Sequence, residues 1–552
     1  MDESKITILT NSENIEELSQ ILSEFLTCNG NDFSFPHLCE NNRRVILWTA
    51  LFQHLQKPTS AAVHAICLAT IRVLSRDKSD LENLLCEKWI TVLIEKAGLY
   101  SLVGLENEAM VPLELPPKDV AVEALKCLCN LAFNSEVARA LCAHTSIAQG
   151  LVARLRVYKD IPFKEEIMLF DMKLLFILTA LRHDIRSKIK DELHGMDYLI
   201  SCLNELVLEA SEQNKDFDAS ASGGPETDFC LLQDHQQAIA CEILKTQFNL
   251  IIQSGPEEPL DETEEAMFLK LMPVLTTLLN TRTSNEEKLV ELHSNIANLL
   301  TSVPSIFYPY LTPEMNKNET AANVYDERNM DALQSLVQFL HYKLSNTTNT
   351  KNQYENLSPI LTVLVKSARG SRSQRKYLRQ VVLPPLRDVS RPPEMGSTLR
   401  NQLCRLLTTP VTSVRDLVAE FLFVLCKEKV SRMVKYTGFG NAAGHLAQKG
   451  LLGGARGAPY SSSSDDSDTE EYLQAQPHID PVVGCTRPPR ANPFQGMTEE
   501  QKEYEAMKLV NLFDKMVSEG VVKPARVGPD GRPQAVDHVM ELLEHQPNRS
   551  QS

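Results

Sequence analysis

The sequence predicts an all-α protein built from stacked helical hairpins, and three observations lead to this fold class. Apolar residues recur at spacings of three and four in segment after segment, which is the period of an amphipathic helix. Alternating strand patterns with tight Asn-Gly or Asp-Gly turns are almost absent between these segments. The 552 residues, 43% of them hydrophobic, are enough to bury a large core.

The first strongly apolar helix is predicted over 61–74, where apolar positions cover most of the circumference and indicate burial on most sides. Similar helices are predicted around 120–133, 170–181, 238–252, 288–300, 357–365, 399–407 and 414–425. Their separation is irregular but is broadly that of armadillo or HEAT units, roughly 40 to 47 residues plus loop insertions. Hairpins of this size cannot bury their own apolar faces, so a stack of them shares one core and presents one long concave binding surface.

Changes in composition suggest three parts. Polar stretches at 211–228 and 312–328 are predicted as solvent loops within the array, and a run of serines and acids follows at 461–472. We therefore predict an armadillo/HEAT-type superhelix over 1–455, a flexible acidic linker rich in Ser and Pro over 456–495, and an amphipathic helix with a tail over 496–552.

The predicted C-terminal helix has a defined start and an apolar stripe. Thr498 and Gln501 have the spacing of a capping box, with acidic residues between them in the first turn. The stripe consists of Met507, Leu509, Val510, Phe513 and Met516. We expect it to cover a surface of the array or of a partner.

Charge and hydropathy exclude some classes of protein. A formal net charge of −16 and a pI near 5.4 argue against a sequence-independent grip on nucleic acid. No secretory leader and no apolar run long enough to span a bilayer is present, so a cytoplasmic protein is expected. Most of the 13 cysteines lie in apolar helical patterns and are predicted to be reduced core thiols.

Catalytic and metal-binding constellations are not recognisable. Gly438, Gly440 and Gly444 have the wrong spacing for a dinucleotide fingerprint and follow a helix rather than a strand. Cys127 and Cys129 are one residue apart on a helix, which directs the two thiols away from each other, so zinc is not expected. We predict no cofactor, no metal and no covalent chemistry.

Polar pairs one helical turn apart are the candidate binding residues. Arg72 with Arg76 and Asn130 with Asn134 each share one face of an otherwise buried helix, and Asn249 belongs to a similar pair. Such side chains can bind the backbone or carboxylates of an inserted segment. They can equally bridge helices and loops inside the array, and for any single pair both interpretations stay open.

The serine cluster has the spacing of an acidophilic kinase substrate. Ser462, Ser463 and Ser467 each have an acidic residue three positions further on. Phosphorylation adds about 1.5 to 2 negative charges per site to this acidic run. The alternative is a solvated spacer.

Many strings along the chain resemble the synembryn family, whose members are chaperones and guanine-nucleotide exchange factors for G-protein α subunits. The resemblance runs from about 60 to about 520 and is carried by LSRDK (74–78), LKCLCN (125–130), FD (170–171) with LLF (174–176), ELHS (291–294), LPPLRDV (383–389), AEFLFVLC (419–426), KYTG (435–438) and MTEEQK (497–502).

This resemblance implies a superhelix whose concave face holds the C-terminal helix of the α subunit, so that the nucleotide is released. By motif position, the partner-binding residues fall on Arg72, Arg76, Asn130, Phe170, Phe248 and Asn249. The phosphorylation sites, for a casein-type kinase, fall on Ser462 and Ser467. The resemblance also implies access to the cell cortex through the α subunit. A generic armadillo adaptor is the alternative, although the two tryptophans, Trp48 and Trp89, lack the Asn one turn later that nuclear-import receptors use.

Overall fold

The computed structural model describes residues 3–99, 115–161, 163–218, 230–252, 260–316, 320–346, 352–453, 468–487 and 496–536. These residues form two compact units, which meet in the chain between Phe307 and Tyr308. Nearly all regular structure in both is helical, which confirms the all-α prediction.

The first unit contains fifteen helices among its described residues. They are α1 Glu3–Asn11, α2 Ile15–Asn29, α3 Pro36–Cys39, α4 Arg43–Gln56, α5 His64–Leu74, α6 Glu87–Lys96, α7 Lys118–Asn134, α8 Glu136–His144, α9 Ile147–Leu155, α10 Lys164–Leu181, α11 His183–Ser187, α12 Gly195–Asp218, α13 Asp234–Ile251, α14 Glu262–Leu279 and α15 Glu286–Ser302. Helices α2, α5, α7, α10, α13 and α15 pack side by side in this order. They form one layer, and this layer positions the candidate site.

The second unit contains nine helices among its described residues. They are α16 Asp331–Asn346, α17 Gln353–Gly370, α18 Arg372–Val382, α19 Leu399–Leu406, α20 Thr412–Leu425, α21 Val430–Thr437, α22 Phe439–Gln448, α23 Glu470–Ala475 and α24 Glu499–Ser518. Helix α17 packs on α16, α18 and α20 and is the centre of this unit.

Short non-α segments connect the helices. Strands β1 Leu231–Leu232 and β2 Arg282–Thr283 pair in parallel, while β3 Val324–Tyr325 with β4 Arg328–Asn329, β5 Ile479–Asp480 with β6 Cys485–Thr486, and β7 Ala525–Val527 with β8 Pro533–Ala535 form antiparallel pairs. Short 3-10 segments lie at Glu40–Asn42, Pro58–Val63, Leu81–Leu84, Tyr158–Asp160, Ser305–Leu311 and Gln476–His478, and a π-helical turn lies at Lys188–Glu192.

Side-chain caps explain several helix starts. Asn14, Ser135 and Asn285 precede α2, α8 and α15, and each accepts a hydrogen bond from a backbone N–H of the first turn. The capping box predicted at Thr498 and Gln501 is present at the start of α24. The apolar stripe of α24 is not buried on any described surface, since no residue of this helix is buried.

Two stretches predicted as solvent loops contain regular structure, so the loop assignment was wrong there. Helix α12 continues to Asp218, because polar helix formers propagate a helix beyond its last apolar residue. Within 312–328, Asp326 and Glu327 both have positive φ, near 54° and 58°, and close the β3–β4 hairpin. A two-residue turn of this kind normally carries Asn-Gly or Asp-Gly, and neither pair is present here to signal a hairpin.

Part of the segment predicted as a linker is packed against the second unit. In 468–487, Tyr472 and Cys485 are buried, and Thr486 donates its backbone N–H to the carbonyl of Val389. The backbone N–H groups of Phe439 and Gly440 donate to carbonyls of the β5–β6 turn. The remaining residues of the segment, 456–467 and 488–495, lie outside the described residues.

All 13 cysteines are described and are free thiols. Most of them are buried, as expected for core thiols: Cys67, Cys127, Cys129, Cys142, Cys202, Cys241, Cys404, Cys426 and Cys485. No described helix is long and apolar enough to cross a membrane.

Buried His293 on α15 makes the stability of the first unit dependent on pH. Burial lowers its pKa from the ordinary 6.5 to about 4. Between these two values only the unfolded chain binds the proton, so the free energy of unfolding is highest above pH 6.5 and falls as the pH drops towards 4. We expect His293 to contribute a loss of about 3 kcal/mol across this window.

Urea unfolding of the full chain at pH 7 and pH 5 tests this expectation. The His293→Gln variant should lose less stability than the wild type between the two pH values. Equal losses in both proteins would contradict the role of His293, because other buried histidines such as His64 remain in both.

Candidate functional site

A cleft of about 740 Å³ lies on the layer of inner helices in the first unit. It is formed by α5, α7, α10 and α13 with the loops that follow α2 and α5. Its lining consists of Phe33, Arg72, Arg76, Lys78, Lys126, Cys129, Asn130, Phe133, Asn134, Phe170, Lys173, Phe176, Ile177, Glu242 and Lys245.

The cleft is basic although the chain is acidic. Six of the lining residues are Arg or Lys and one is Glu, a local difference of +5 on a chain whose formal net charge is −16. Concentrating one sign of charge in a concave surface attracts segments of the opposite sign. The cleft is therefore suited to an acidic or carboxylate-bearing segment.

Phenylalanine rings alternate with these cations. The Arg76 guanidinium lies 5.4 Å from the centre of the Phe33 ring, and the Lys78 ammonium lies 5.9 Å from that of Phe133. Both rings are largely exposed, at 72% and 64%. Lys126 and Lys173 lie 5.1 Å and 5.0 Å from the Phe170 ring, and Lys245 lies 5.0 Å from the Phe176 ring. These cation–π contacts hold the lysines over apolar faces that a partner can also contact.

Arg72 is already paired within the chain. Its Nε donates to Glu123 Oε2 at 2.7 Å, and Lys126 Nζ donates to Glu123 Oε1 at 2.8 Å. Burial alone raises the pKa of Glu123, but the hydrogen bonds from Lys126 and Arg72 outweigh it and hold the pKa below its ordinary value. Glu123 is therefore ionised and shares both cations.

Arg76 is more available to a partner than Arg72. Its Nη1 donates to the carbonyl of Gly30 at 2.6 Å. In the part of the chain that the structure describes, no carboxylate is within ion-pair distance of Arg76, Lys78 or Lys173. These three cations therefore carry most of the uncompensated charge of the cleft.

The asparagines of the predicted site bridge neighbouring helices. Asn130 Nδ2 donates to the Arg72 carbonyl at 3.2 Å, and Asn134 Nδ2 donates to the Ser75 carbonyl at 3.1 Å. These bonds reach carbonyls at the C-terminal end of α5, where no further helical turn supplies backbone N–H groups, and the Arg72 carbonyl also accepts the Ser75 hydroxyl at 2.8 Å. The bridging interpretation thus describes both side chains here, although both also line the cleft.

The structure brings four of the six predicted partner-binding residues together in the cleft: Arg72, Arg76, Asn130 and Phe170. Phe248 and Asn249, on α13, are not among its lining residues. Asn249 is buried, and its Nδ2 donates to the Phe176 carbonyl at 3.3 Å and to Thr179 Oγ1 at 3.1 Å. Ser462 and Ser467, the predicted phosphorylation sites, lie outside the described residues.

A buried ionic cluster underlies Phe170. Its neighbour Asp171 is fully buried and accepts hydrogen bonds from Arg154 Nη1 at 3.3 Å and from the Tyr158 hydroxyl at 2.7 Å. Arg154 Nη2 also donates to the Ala97 carbonyl at 2.6 Å. These hydrogen bonds hold Asp171 in place. They therefore also hold the turn of α10 that bears Phe170.

Several lining residues were missed by the sequence analysis. Lys126 precedes Asn130 by one turn and Lys173 follows Phe170 by three residues, so each shares a helix face with a predicted residue, and Phe176 follows Lys173 at the same spacing. That spacing could have found them. Phe33 lies in a loop between α2 and α3, where no periodicity signals its position.

No described feature indicates covalent or metal chemistry at this cleft. Burial raises the pKa of the Cys129 thiol, which disfavours the nucleophilic thiolate. Among the residues that the structure describes, no group of three or more His, Cys, Asp or Glu side chains could hold a metal ion.

Comparison with known proteins adds sequence evidence. A family model described as "Guanine nucleotide exchange factor synembryn" matches residues 67–532. A protein named "Chaperone Ric-8A" from Danio rerio is 41% identical over 501 residues, which cover 91% of this chain and 89% of that protein. A protein named "Chaperone Ric-8" from Drosophila melanogaster is 37% identical over 578 residues, covering 97% of this chain and 96% of that protein.

A solved structure supports the armadillo-type repeat fold. It comes from work titled "A conserved phosphorylation switch controls the interaction between cadherin and beta-catenin in vitro and in vivo". The likeness has a TM-score of 0.51 at 12% identity and covers 83% of this chain and 72% of that one. At this identity the likeness concerns the fold alone.

Proposed function

Because the chain belongs to the synembryn family of guanine nucleotide exchange factors, we propose that it is a chaperone and exchange factor for G-protein α subunits. Its membership confirms the resemblance found in the sequence. In this proposal the cleft receives the C-terminal helix of the α subunit, and no covalent chemistry takes place on this chain.

The observation that carries the proposal is the basic, aromatic cleft. The C-terminal end of a helix has a partial negative charge, and the carboxylate at the end of a chain adds a full one. Arg76, Lys78 and Lys173 supply cations that no carboxylate of the described residues pairs with, and the Phe rings supply apolar contact area. A terminal amphipathic helix has both properties that this lining complements.

In this proposal the nucleotide is released because this chain binds the nucleotide-free state of the α subunit more tightly than the nucleotide-bound state. A protein shifts an equilibrium only by the difference in its affinity for the two states. If this chain holds the partner's last helix away from the partner's own sheet, the support for the guanine-binding loop is lost. Binding then favours the nucleotide-free state, and GTP with magnesium restores the other state.

Helix α24 is proposed as a second contact with the α subunit. Tyr504, Met507, Leu509 and Leu512 are exposed along it. An apolar stripe that the described part of the chain leaves exposed is suited to a partner. We propose that it holds mobile regions of the nucleotide-binding domain while the nucleotide is absent.

GDP release from a purified α subunit tests the proposal. We expect this chain to accelerate release, and we expect the acceleration to vanish when the last helix of the α subunit is deleted. Acceleration that survives the deletion would contradict docking in the cleft. If the chain accelerates release from no class of α subunit, the alternative of an armadillo adaptor without exchange activity is favoured. An assay for rescue of newly made α subunits then tests the chaperone role separately.

The remaining functional expectations belong to the same proposal. We propose that Ser462 and Ser467 are phosphorylated by a casein-type acidophilic kinase. Treatment with the kinase followed by mapping of the sites by mass spectrometry tests this.

We also propose that the protein acts in the cytoplasm and reaches the cell cortex through its α subunit. Imaging with and without the α subunit tests that location.

A further inference from the structure

Two loops form the rim of the cleft nearest the N-terminus. One follows α2 and contains Gly30 and Phe33, and the other follows α5 and contains Arg76 and Lys78. The loops contact each other where Arg76 donates to the carbonyl of Gly30 and covers the Phe33 ring. The position of Arg76 therefore depends on the buried residues that hold these two loops in place.

Buried Arg44 on α4 holds the loop after α5. Only 4% of Arg44 is exposed. Its Nη2 donates to the carbonyls of Leu74 at 3.0 Å and Asp77 at 2.6 Å, and its Nη1 donates to the carbonyl of Ser79. One guanidinium thus satisfies three carbonyls in the last residue of α5 and the turn that follows.

Buried Asp77 joins this loop to the other one. It lies between Arg76 and Lys78 in the chain and is 4% exposed. Its Oδ2 accepts the backbone N–H of Phe35 at 2.8 Å, and its Oδ1 accepts that of Ser79 at 3.0 Å. Arg44 Nη1 lies 3.9 Å from Asp77 Oδ2, so the carboxylate also faces a cation.

The carboxylate is ionised in this setting. Burial raises the pKa of Asp77, but hydrogen bonds from Ser79 and Phe35 and the charge of Arg44 outweigh that effect and lower the pKa. Hydrogen bonds to an ionised acceptor are stronger than neutral ones. Arg44 and Asp77 therefore form a fixed support for both loops, and neither of them lines the cleft.

We propose that Arg44 and Asp77 are positioning residues that hold Arg76 and Phe33 in the arrangement that binds the partner's helix. They act without touching the partner. This inference rests on the proposed function, because it assigns a role in the affinity of the same cleft.

The experiment measures the affinity of the full chain for a fluorescent peptide that has the sequence of the α subunit's last helix. Asp77→Ala is expected to weaken binding about tenfold, the effect of losing about 1.4 kcal/mol of buried hydrogen bonding. Asp77→Asn keeps the size of the side chain and is expected to weaken binding less. It also serves as the informative variant if Asp77→Ala does not fold.

Asp331 offers a matched control in the second unit. Its carboxylate also accepts two backbone N–H groups, from Asn323 at 2.8 Å and Ala322 at 3.2 Å, and it is not a lining residue of the cleft. Asp331→Ala should leave peptide affinity unchanged. An equal loss of affinity in the Asp331 and Asp77 variants would overturn the proposal, because it would indicate a general effect of destabilisation.

A double-mutant cycle separates positioning from stability. If Asp77 acts through Arg76, Asp77→Asn should weaken binding much less when Arg76 is already Ala. Equal effects in both backgrounds would overturn the proposal. If the wild-type chain itself does not bind the peptide, the proposed function fails, whereas wild-type binding with unchanged affinity in both Asp77 variants refutes only the positioning role.

Discussion

Arg76→Glu is expected to abolish measurable binding of the α subunit's C-terminal helix, with affinity lower by about 100-fold or more. Arg76 is the cleft cation with the clearest access to a partner, because among the described residues it contacts the carbonyl of Gly30 and the ring of Phe33 and no carboxylate. The substitution replaces attraction of a carboxylate by repulsion. It should also remove the acceleration of GDP release.

Lys173→Glu and Lys270→Glu make a matched pair for this test. Lys173 lines the cleft, whereas Lys270 is 62% exposed on α14 and pairs with Asp197. Reversing Lys173 should weaken binding and reversing Lys270 should not. If both substitutions reduced binding equally, the net charge of the chain rather than the cleft would attract the partner.

Binding should also weaken as salt increases, since the Debye length falls to about 8 Å at physiological ionic strength.

Arg72 and Asn130 are less direct probes of the cleft. Arg72 shares Glu123 with Lys126, so its removal also changes the balance of that cluster. Asn130 donates to the carbonyl of Arg72, which also accepts the Ser75 hydroxyl, so Asn130→Ala removes one of two hydrogen bonds to this carbonyl. Loss of binding in either variant therefore needs a measurement of the free energy of unfolding beside it.

The helices could be predicted because their signal is local. Each predicted apolar segment repeats with the period of a helix, and the capping box at Thr498 is contained within four residues. The β3–β4 hairpin could not be predicted, because Asp326 and Glu327 adopt positive φ without the glycine that usually marks such a turn. The packing of 468–487 depends on carbonyls and N–H groups distant in the chain, such as those of Val389 and Phe439, which no local pattern reveals.

The candidate site could be predicted in part for the same reason. Arg72 and Arg76 are one turn apart, so their shared face follows from spacing alone. Whether an asparagine binds a partner or bridges two helices depends on the neighbouring helix. Asn249 donates to the carbonyl of Phe176 and to the hydroxyl of Thr179, which precede it in the chain by 73 and 70 residues. Partners so distant in sequence are brought near only by folding.

The largest effect on stability is expected from Asp171→Ala. The substitution leaves the Arg154 guanidinium, which is fully buried, without its carboxylate, and it removes the acceptor of the Tyr158 hydroxyl. Breaking a buried ion pair from one side costs about 3–5 kcal/mol, because the remaining charge cannot reach water. Chemical unfolding of the full chain should show this loss in the transition of the first unit. Glu205→Gln, which removes an exposed pair with Lys159, should change that transition little.

Replacing Arg154, Tyr158 and Asp171 together shows why Asp171→Ala loses stability. The loss comes either from removing a stabilising ion pair or from leaving the Arg154 charge buried without a partner. In the triple variant Arg154→Met, Tyr158→Phe, Asp171→Leu, no buried charge remains, and such replacements are often neutral or stabilising. We therefore expect the triple variant to recover most of the stability that Asp171→Ala loses. Recovery of stability with weaker peptide binding would mean that the cluster serves to place Phe170, the adjacent residue, in the cleft. If Asp171→Ala proved no less stable than Glu205→Gln, the cluster would not be holding α10 in place.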